Sequence, residues 1–194
     1  MSSPNTRPLR ADAQRNRDHL LTIARAAFAA DGDEVTLDRI AKDAGVGIGT
    51  LYRHFPTRDA LVEAVYAAEL DAVVADAEPL LAELPGDEAL REWMNHYARF
   101  TATKRGMLGT LRAGWASGRI ATPSTRERIV GVIGSLLAAG AADGTLRSDV
   151  RADDVVSMLL GVFVSAGGVG DSADEAQTGR LLDLLVDGLR PRTG

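Results

Sequence analysis

Apolar residues recur along this chain at intervals of three and four almost from end to end, and no segment sustains the alternation of a half-buried strand. Leu20, Ile23, Ala27 and Phe28 fall on one helical face, and Asp31-Gly32 stops that helix. Thr36 is suited to cap a second helix, because its hydroxyl can accept an orphan amide hydrogen bond, and that helix runs to about Ala44. Beyond Gly45 a third helix spans roughly 48–55, where Pro56 ends it, and Thr57 caps a long fourth helix from Arg58. Pro85-Gly86 precedes a fifth helix, 88–104, and Arg105-Gly106 and the 118–123 stretch bracket a sixth. A seventh covers 124–142 up to the Asp143-Gly144 turn. The last two, 152–166 and 175–189, flank a glycine-rich loop around 167–172. The pattern predicts an all-α fold of about nine helices. It divides into a polar, proline-containing flexible arm (1–14), a three-helix head (15–60) and a larger C-terminal helical domain (61–194).

The stretch 37–56 satisfies the demands of a helix-turn-helix together. Two short helices crossing steeply need a small residue at their contact, which Ala41 supplies. The turn needs a residue that tolerates positive φ, and Gly45 stands there. Ile40, Ala44, Val46, Leu51 and Phe55 fall on the inward side. The outer surface of the third helix then offers Ile48, Gly49, Thr50, Tyr52, Arg53 and His54. Hydroxyls and the phenol can bond phosphate oxygens, a guanidinium can pair with guanine edges, and an apolar side chain can meet a thymine methyl. Arg58, opening the fourth helix, is placed for a phosphate; Arg7 and Arg10 in the arm could contact the same partner, the alternative and favoured reading being a solvated tail.

Net charge is −5, which at first sight argues against nucleic acid, but its distribution restores the possibility. Residues 1–61 carry nine Lys/Arg against eight Asp/Glu, and the acidity lies in the remainder, with thirteen against nineteen. From Arg39 through Arg58 there are four basic residues and one acid. A chain that is 45% hydrophobic and 25% charged is globular rather than disordered. The absence of cysteine excludes disulfides, thiol redox sensing and cysteine zinc sites. The longest uncharged apolar stretches, 129–142 and 157–170, fall short of the roughly 20 residues of a membrane span, and no signal peptide is visible, so a cytoplasmic, nucleoid-associated protein is expected.

The run TLDRIAKDAGVGIGTLYRHFPTRDAL, residues 36–61, resembles the DNA-binding signature of the TetR family of bacterial transcriptional regulators. The family shows a Thr at the head of its second helix, an I-A-x-x-A-G-V core, a G-T-L-Y-x-H-F recognition helix and a basic residue opening the fourth helix. It commonly has Lys where this chain has Arg58, and it varies freely at Ile48, Gly49 and Arg53. The run GTLRSDVRADDV, residues 144–155, is similar to a common C-terminal segment of the same family. The resemblance implies that Thr36, Thr50, Tyr52, His54 and Arg58 contact phosphates, and that Ile48, Gly49, Thr50, Tyr52 and Arg53 are candidate base readers. It also implies a homodimer on palindromic double-stranded operator DNA, formed through the last two helices as a four-helix bundle. The expected function is a repressor that a small-molecule effector releases; activation is the alternative.

Two further clusters fit that frame. Trp93, Tyr97 and Phe100, with Met94 beside them, lie on one face of the fifth helix, and Met107, Leu111 and Trp115 repeat the spacing on the sixth. These seven could line a pocket for an apolar or aromatic effector with Asn95, His96 or Thr101 as polar anchors; the same residues could equally be helix-packing core. On the last two helices Leu159, Phe163, Leu181, Leu185 and Leu189 belong to apolar faces expected to dimerise. No enzyme is expected, since no nucleophile or acid–base constellation is visible, and no cofactor or metal is. The three histidines, His19, His54 and His96, lie on different helices, and GVGIG (45–49) lacks the third glycine and the preceding strand of a dinucleotide loop. An all-helical carrier or enzyme and a protein-interaction module are the competing readings. Steep weakening of binding with salt would separate both from a phosphate-binding regulator.

Overall fold

A computed structural model describes residues 6–120, 124–166 and 175–191, with side chains over 12–120, 124–165 and 176–191. Its helices are α1 (Thr6–Asp31), α2 (Leu37–Asp43), α3 (Ile48–His54), α4 (Arg58–Ala75), α5 (Ala77–Glu83), α6 (Gly86–Gly106), α7 (Leu108–Ser117), α8 (Thr125–Asp143), α9 (Ala152–Ala166) and α10 (Glu175–Leu189), with a 3-10 turn at Gly32–Glu34. The fold is all-α, as the periodicity predicts. No helix among the described residues is long and apolar enough to cross a membrane.

Two differences from the sequence pattern have local causes. α1 begins at Thr6, inside the stretch read as an arm. Pro8 falls in its first turn, where a missing N–H breaks no helical bond. Farther on, the polar side chains pair along the helix, as when Gln14 donates to Asp18 at 2.7 Å. The fourth helix, read as continuous to Pro85, breaks at Asp76 and restarts as α5. Pro79 has no N–H to offer the Ala75 carbonyl four residues back, and its ring crowds that carbonyl, so the turn cannot propagate. The glycine-rich loop expected around 167–172 lies outside the described residues.

The chain forms two compact units, and they do not follow the 60/61 division. One comprises Met1–Glu69 and Ala102–Thr122, the other Leu70–Thr101 and Pro123–Gly194. In the first, Leu20, Ala24 and Phe28 of α1 are fully buried with Ile40 of α2, Leu51 of α3, Leu61 and Val62 of α4 and Leu111 of α7. Each such aliphatic or aromatic side chain contributes roughly 1.5–3 kcal/mol on leaving water. Packing at the end of α6 is tight enough that a Cβ on Gly106 would collide with the Phe28 carbonyl.

In the second unit α8 packs on α9 and on α5, and α9 packs on α10. Leu90, Trp93 and Met94 of α6, Ile129, Ile133 and Leu136 of α8 and Leu159 of α9 are fully buried. The start of α6 is tied down twice. Asp143, ending α8, accepts from the Gly86 amide at 2.8 Å, and Arg190 donates to Asp87 at 2.8 and 2.9 Å.

Candidate nucleic-acid interface and sensor residues

The helix-turn-helix is built by its turn. Thr36 caps α2, its Oγ1 accepting from the Arg39 amide at 3.2 Å. Gly45 takes φ +68°, a region an L side chain enters only with strain. That conformation lets the Val46 amide return to the Ala41 carbonyl at 3.0 Å and redirects the chain into α3. Ile40, Ala41, Leu51 and Phe55 are at most 2% exposed, so both short helices are locked to the same core. Of the residues expected inward only Val46 remains half-buried.

The outer face of α3 then follows from its periodicity. Tyr52 is 46% exposed, an unusual cost for a phenol ring, and Gly49 and Arg53 are exposed with it. Ile48, Thr50 and His54 are half-buried at the edge of this face. The structure therefore brings together six of the eight expected DNA-contact residues. Thr36, at the head of α2, is exposed. Arg39, also exposed, is drawn to Asp31 at 3.1 Å and Asp43 at 3.6 Å, while Arg17 of α1 lies over the Phe55 ring at 5.2 Å.

Arg58 is placed differently from the expectation. Its guanidinium turns inward and donates to the carbonyls of Val35 and, at 2.7 Å, Asp33, with the Thr110 hydroxyl 3.4 Å from its Nε. It also lies 5.2 Å over the Phe28 ring. An arginine whose donors are engaged by loop carbonyls braces the α1–α2 connection. Asp33 completes this knot. Its carboxylate accepts from the Gly109 amide at 2.8 Å and the Thr110 hydroxyl at 2.7 Å at the start of α7. Sequence reasoning missed Asp33 and Thr110, because they are 77 positions apart and Asp33 reads as a turn residue.

The seven expected effector residues are divided between the two units. In the second, Trp93, Met94, Tyr97 and Phe100 are at most 4% exposed. Trp93 stacks on Tyr97 at 5.3 Å, Tyr97 on Phe100 at 5.8 Å, and Phe163 meets Tyr97 edge-on at 5.6 Å. The Trp93 indole donates to the Val73 carbonyl at 2.8 Å. In the first unit Met107 and Leu111 are buried, and Trp115 packs edge-on against Tyr66 at 6.0 Å. The expected polar anchors are engaged at home. His96 lies 2.7 Å from Asp76 and 3.3 Å from Glu92, Asn95 donates to Glu92 at 2.9 Å, and Thr101 donates to the Ala98 carbonyl at 2.8 Å. Periodicity did not foresee an open groove of about 570 Å³ in the second unit, lined by Val74, Ala77, Glu78 and Leu81 on one side and Arg128, Gly131, Val132 and Ser135 of α8 on the other.

The expected dimer residues lie on the side of α9 and α10 that the chain itself covers. Leu159, Phe163, Leu185 and Leu189 are 0–8% exposed and pack into their own unit, and Leu181 is half-buried. The apolar side chains that reach solvent on α9 and α10 are Met158, Leu160, Val164 and Leu184, exposed by 41–73%. Both faces of these helices carry apolar residues, and leucine counting could not say which one the chain itself covers.

Comparison with known proteins meets this geometry at both ends. Residues 20–65 match the family model for bacterial regulatory proteins of the tetR family, and 85–191 match that for the C-terminal domain of SbtR-like transcriptional regulators. The chain belongs to the TetR family. The solved TetR transcriptional regulator of Streptomyces coelicolor is 42% identical, with a TM-score of 0.83 over 91% of this chain and 99% of that one. A TetR regulatory protein of Mycobacterium vanbaalenii is 35% identical, with a TM-score of 0.74 over 95% and 100%. An HTH-type transcriptional regulator of Staphylococcus aureus is 30% identical over 55% of this chain, and the match spans 58% of that relative's length. The TetR-type helix-turn-helix of this regulator is thus the segment capped by Thr36 and turned at Gly45.

Proposed function

We propose that this TetR-type regulator is a homodimeric repressor that binds a palindromic operator and leaves it when a small-molecule effector binds its helical domain. The observation that carries the reading is the outer face of α3. Tyr52 and Arg53 stand in solvent on a helix whose opposite side is fully buried, and among the described residues no ion pair holds Arg53. Such a surface costs burial of a large ring and gains it back only against a partner. Tyr52, Thr50, His54 and Thr36 offer hydroxyl, phenol and imidazole donors to phosphates, and Arg53 with Ile48 and Gly49 faces base edges. Arg58 acts through the loop it holds.

One head covers too little DNA for a specific operator, and a two-fold dimer reading two half-sites supplies the rest. The exposed apolar side chains available for pairing are Met158, Leu160, Val164 and Leu184. An effector shifts the population between two arrangements of the heads, only one of which fits successive major grooves. A protein acting on chromosomal DNA works in the cytoplasm. Selection from a random duplex library, with the purified protein and an Arg53→Ala control, tests the reading. An enriched palindrome whose half-site preference relaxes in the control supports it. No enrichment at low salt overturns it.

A further inference from the structure

In the first unit, α4, α6 and α7 bring together Tyr66, Lys104 and Trp115. The Lys104 ammonium lies 5.6 Å over the Tyr66 ring and 5.7 Å over the Trp115 ring. Its burial lowers its pKa, and among the described residues no carboxylate pairs with it. Beside it the Trp115 indole N–H is shielded from solvent and finds no acceptor among the described residues. The indole N–H is thus a buried donor without an acceptor, where a buried polar group ordinarily finds a partner, and the half-buried ammonium lies over the face of the same ring. The chain favours arginine, and only Lys42 and Lys104 among its 22 basic residues are lysines. A compact ammonium suits a point contact, whereas the planar fork of arginine suits bidentate phosphate.

We propose that Lys104 and Trp115, walled by Tyr66, form the polar end of the effector site, and that the effector is a monocarboxylate with an apolar or aromatic body. The proposal rests on the effector reading above and names its chemical class. One carboxylate oxygen accepts from the ammonium and the other from the indole N–H, each at about 2.8 Å, which satisfies both donors at once. The rings and the adjoining Met107 and Leu111 receive the apolar body. A single ammonium with one neutral donor matches a single negative charge; a dianionic phosphate would be left under-neutralised against aromatic faces.

Full-length protein carrying 15N-tryptophan gives two indole resonances, because the chain holds two tryptophans, and a Trp115→Phe variant assigns them. Benzoate, phenylacetate and octanoate are titrated, each against its neutral amide, with selected operator duplex in a parallel release assay. At least one acid should shift the Trp115 resonance with tenfold or greater preference over its amide. In Lys104→Met that preference should vanish while the thermal unfolding midpoint and the Trp93 resonance of the second unit stay in place. Equal binding of acid and amide, no shift by any of the three acids, or an undiminished preference in Lys104→Met would overturn the site. Release by a neutral compound that leaves Trp115 unmoved refutes the site and keeps the effector reading. A tenfold acid preference without operator release keeps the site and refutes the effector reading.

Discussion

Replacing Arg58 by Ala separates two roles that sequence alone makes equivalent. In the structure the guanidinium donates to the Val35 and Asp33 carbonyls, approaches Thr110 and covers Phe28. A hydrogen bond to a charged group contributes about 1.5–3 kcal/mol net, and a partly desolvated cation–π contact about 0.5–2. The side chain is 27% exposed and the Thr110 contact is long, so roughly half of that gross sum survives, about 2–4 kcal/mol. For a chain of this length each kcal/mol moves Tm by about 2–4 °C, giving a loss of roughly 5–15 °C. Arg58→Lys should recover less than half, because one ammonium cannot reach two carbonyls and a hydroxyl in the geometry of a planar fork. The assay pairs thermal unfolding with operator affinity measured across a salt series. If Arg58 positions the loop, Tm falls and the slope of log K against log salt is unchanged. A phosphate contact predicts the reverse: Tm within about 2 °C of wild type and a slope smaller by about one. The second result would falsify the inward assignment.

Three further outcomes follow from the same geometry. Tyr52→Ala should weaken binding to every duplex by on the order of 1 kcal/mol, about fivefold, with little change in stability because the ring is exposed; normal affinity would refute the docking of α3. Val164→Asp combined with Leu184→Asp should leave the protomer folded, since both side chains lie in solvent, yet convert a dimer to a monomer in sedimentation at micromolar concentration; a persistent dimer would place the interface elsewhere. The Asp143 carboxyl is held below the usual carboxylate range, first by the Thr145 hydroxyl and then by the Gly86 and Thr145 amides. Its contribution is therefore complete above the ordinary carboxylate pKa and disappears as pH falls through the lower folded value. Urea midpoints of wild type and Asp143→Asn measured from pH 2 to 6 should converge at the acid end, and a constant gap would contradict this linkage.

The sequence by itself determined what local rules govern. Thr36, Gly45 and Pro56 mark a cap, a left-handed turn and a stop, each decided within a few residues, so the helix-turn-helix and its outward face were readable at residue level. The all-α class followed from periodicity for the same reason. Pro79 held the break after Ala75 in plain view, but a first-turn proline also reads as tolerated, and only the coordinates show which turn it begins. What tertiary structure alone decided concerns partners far apart in the chain. Arg58 looked like a phosphate ligand until folding brought it to Val35 and Thr110. The leucines of α9 and α10 looked like a dimer seam until the chain's own core covered one of the two apolar faces. Lys104 and Trp115 carried no motif at all; burial leaves the Trp115 indole N–H without an acceptor beside the Lys104 ammonium, and that depends on what packs around them rather than on their neighbours in sequence.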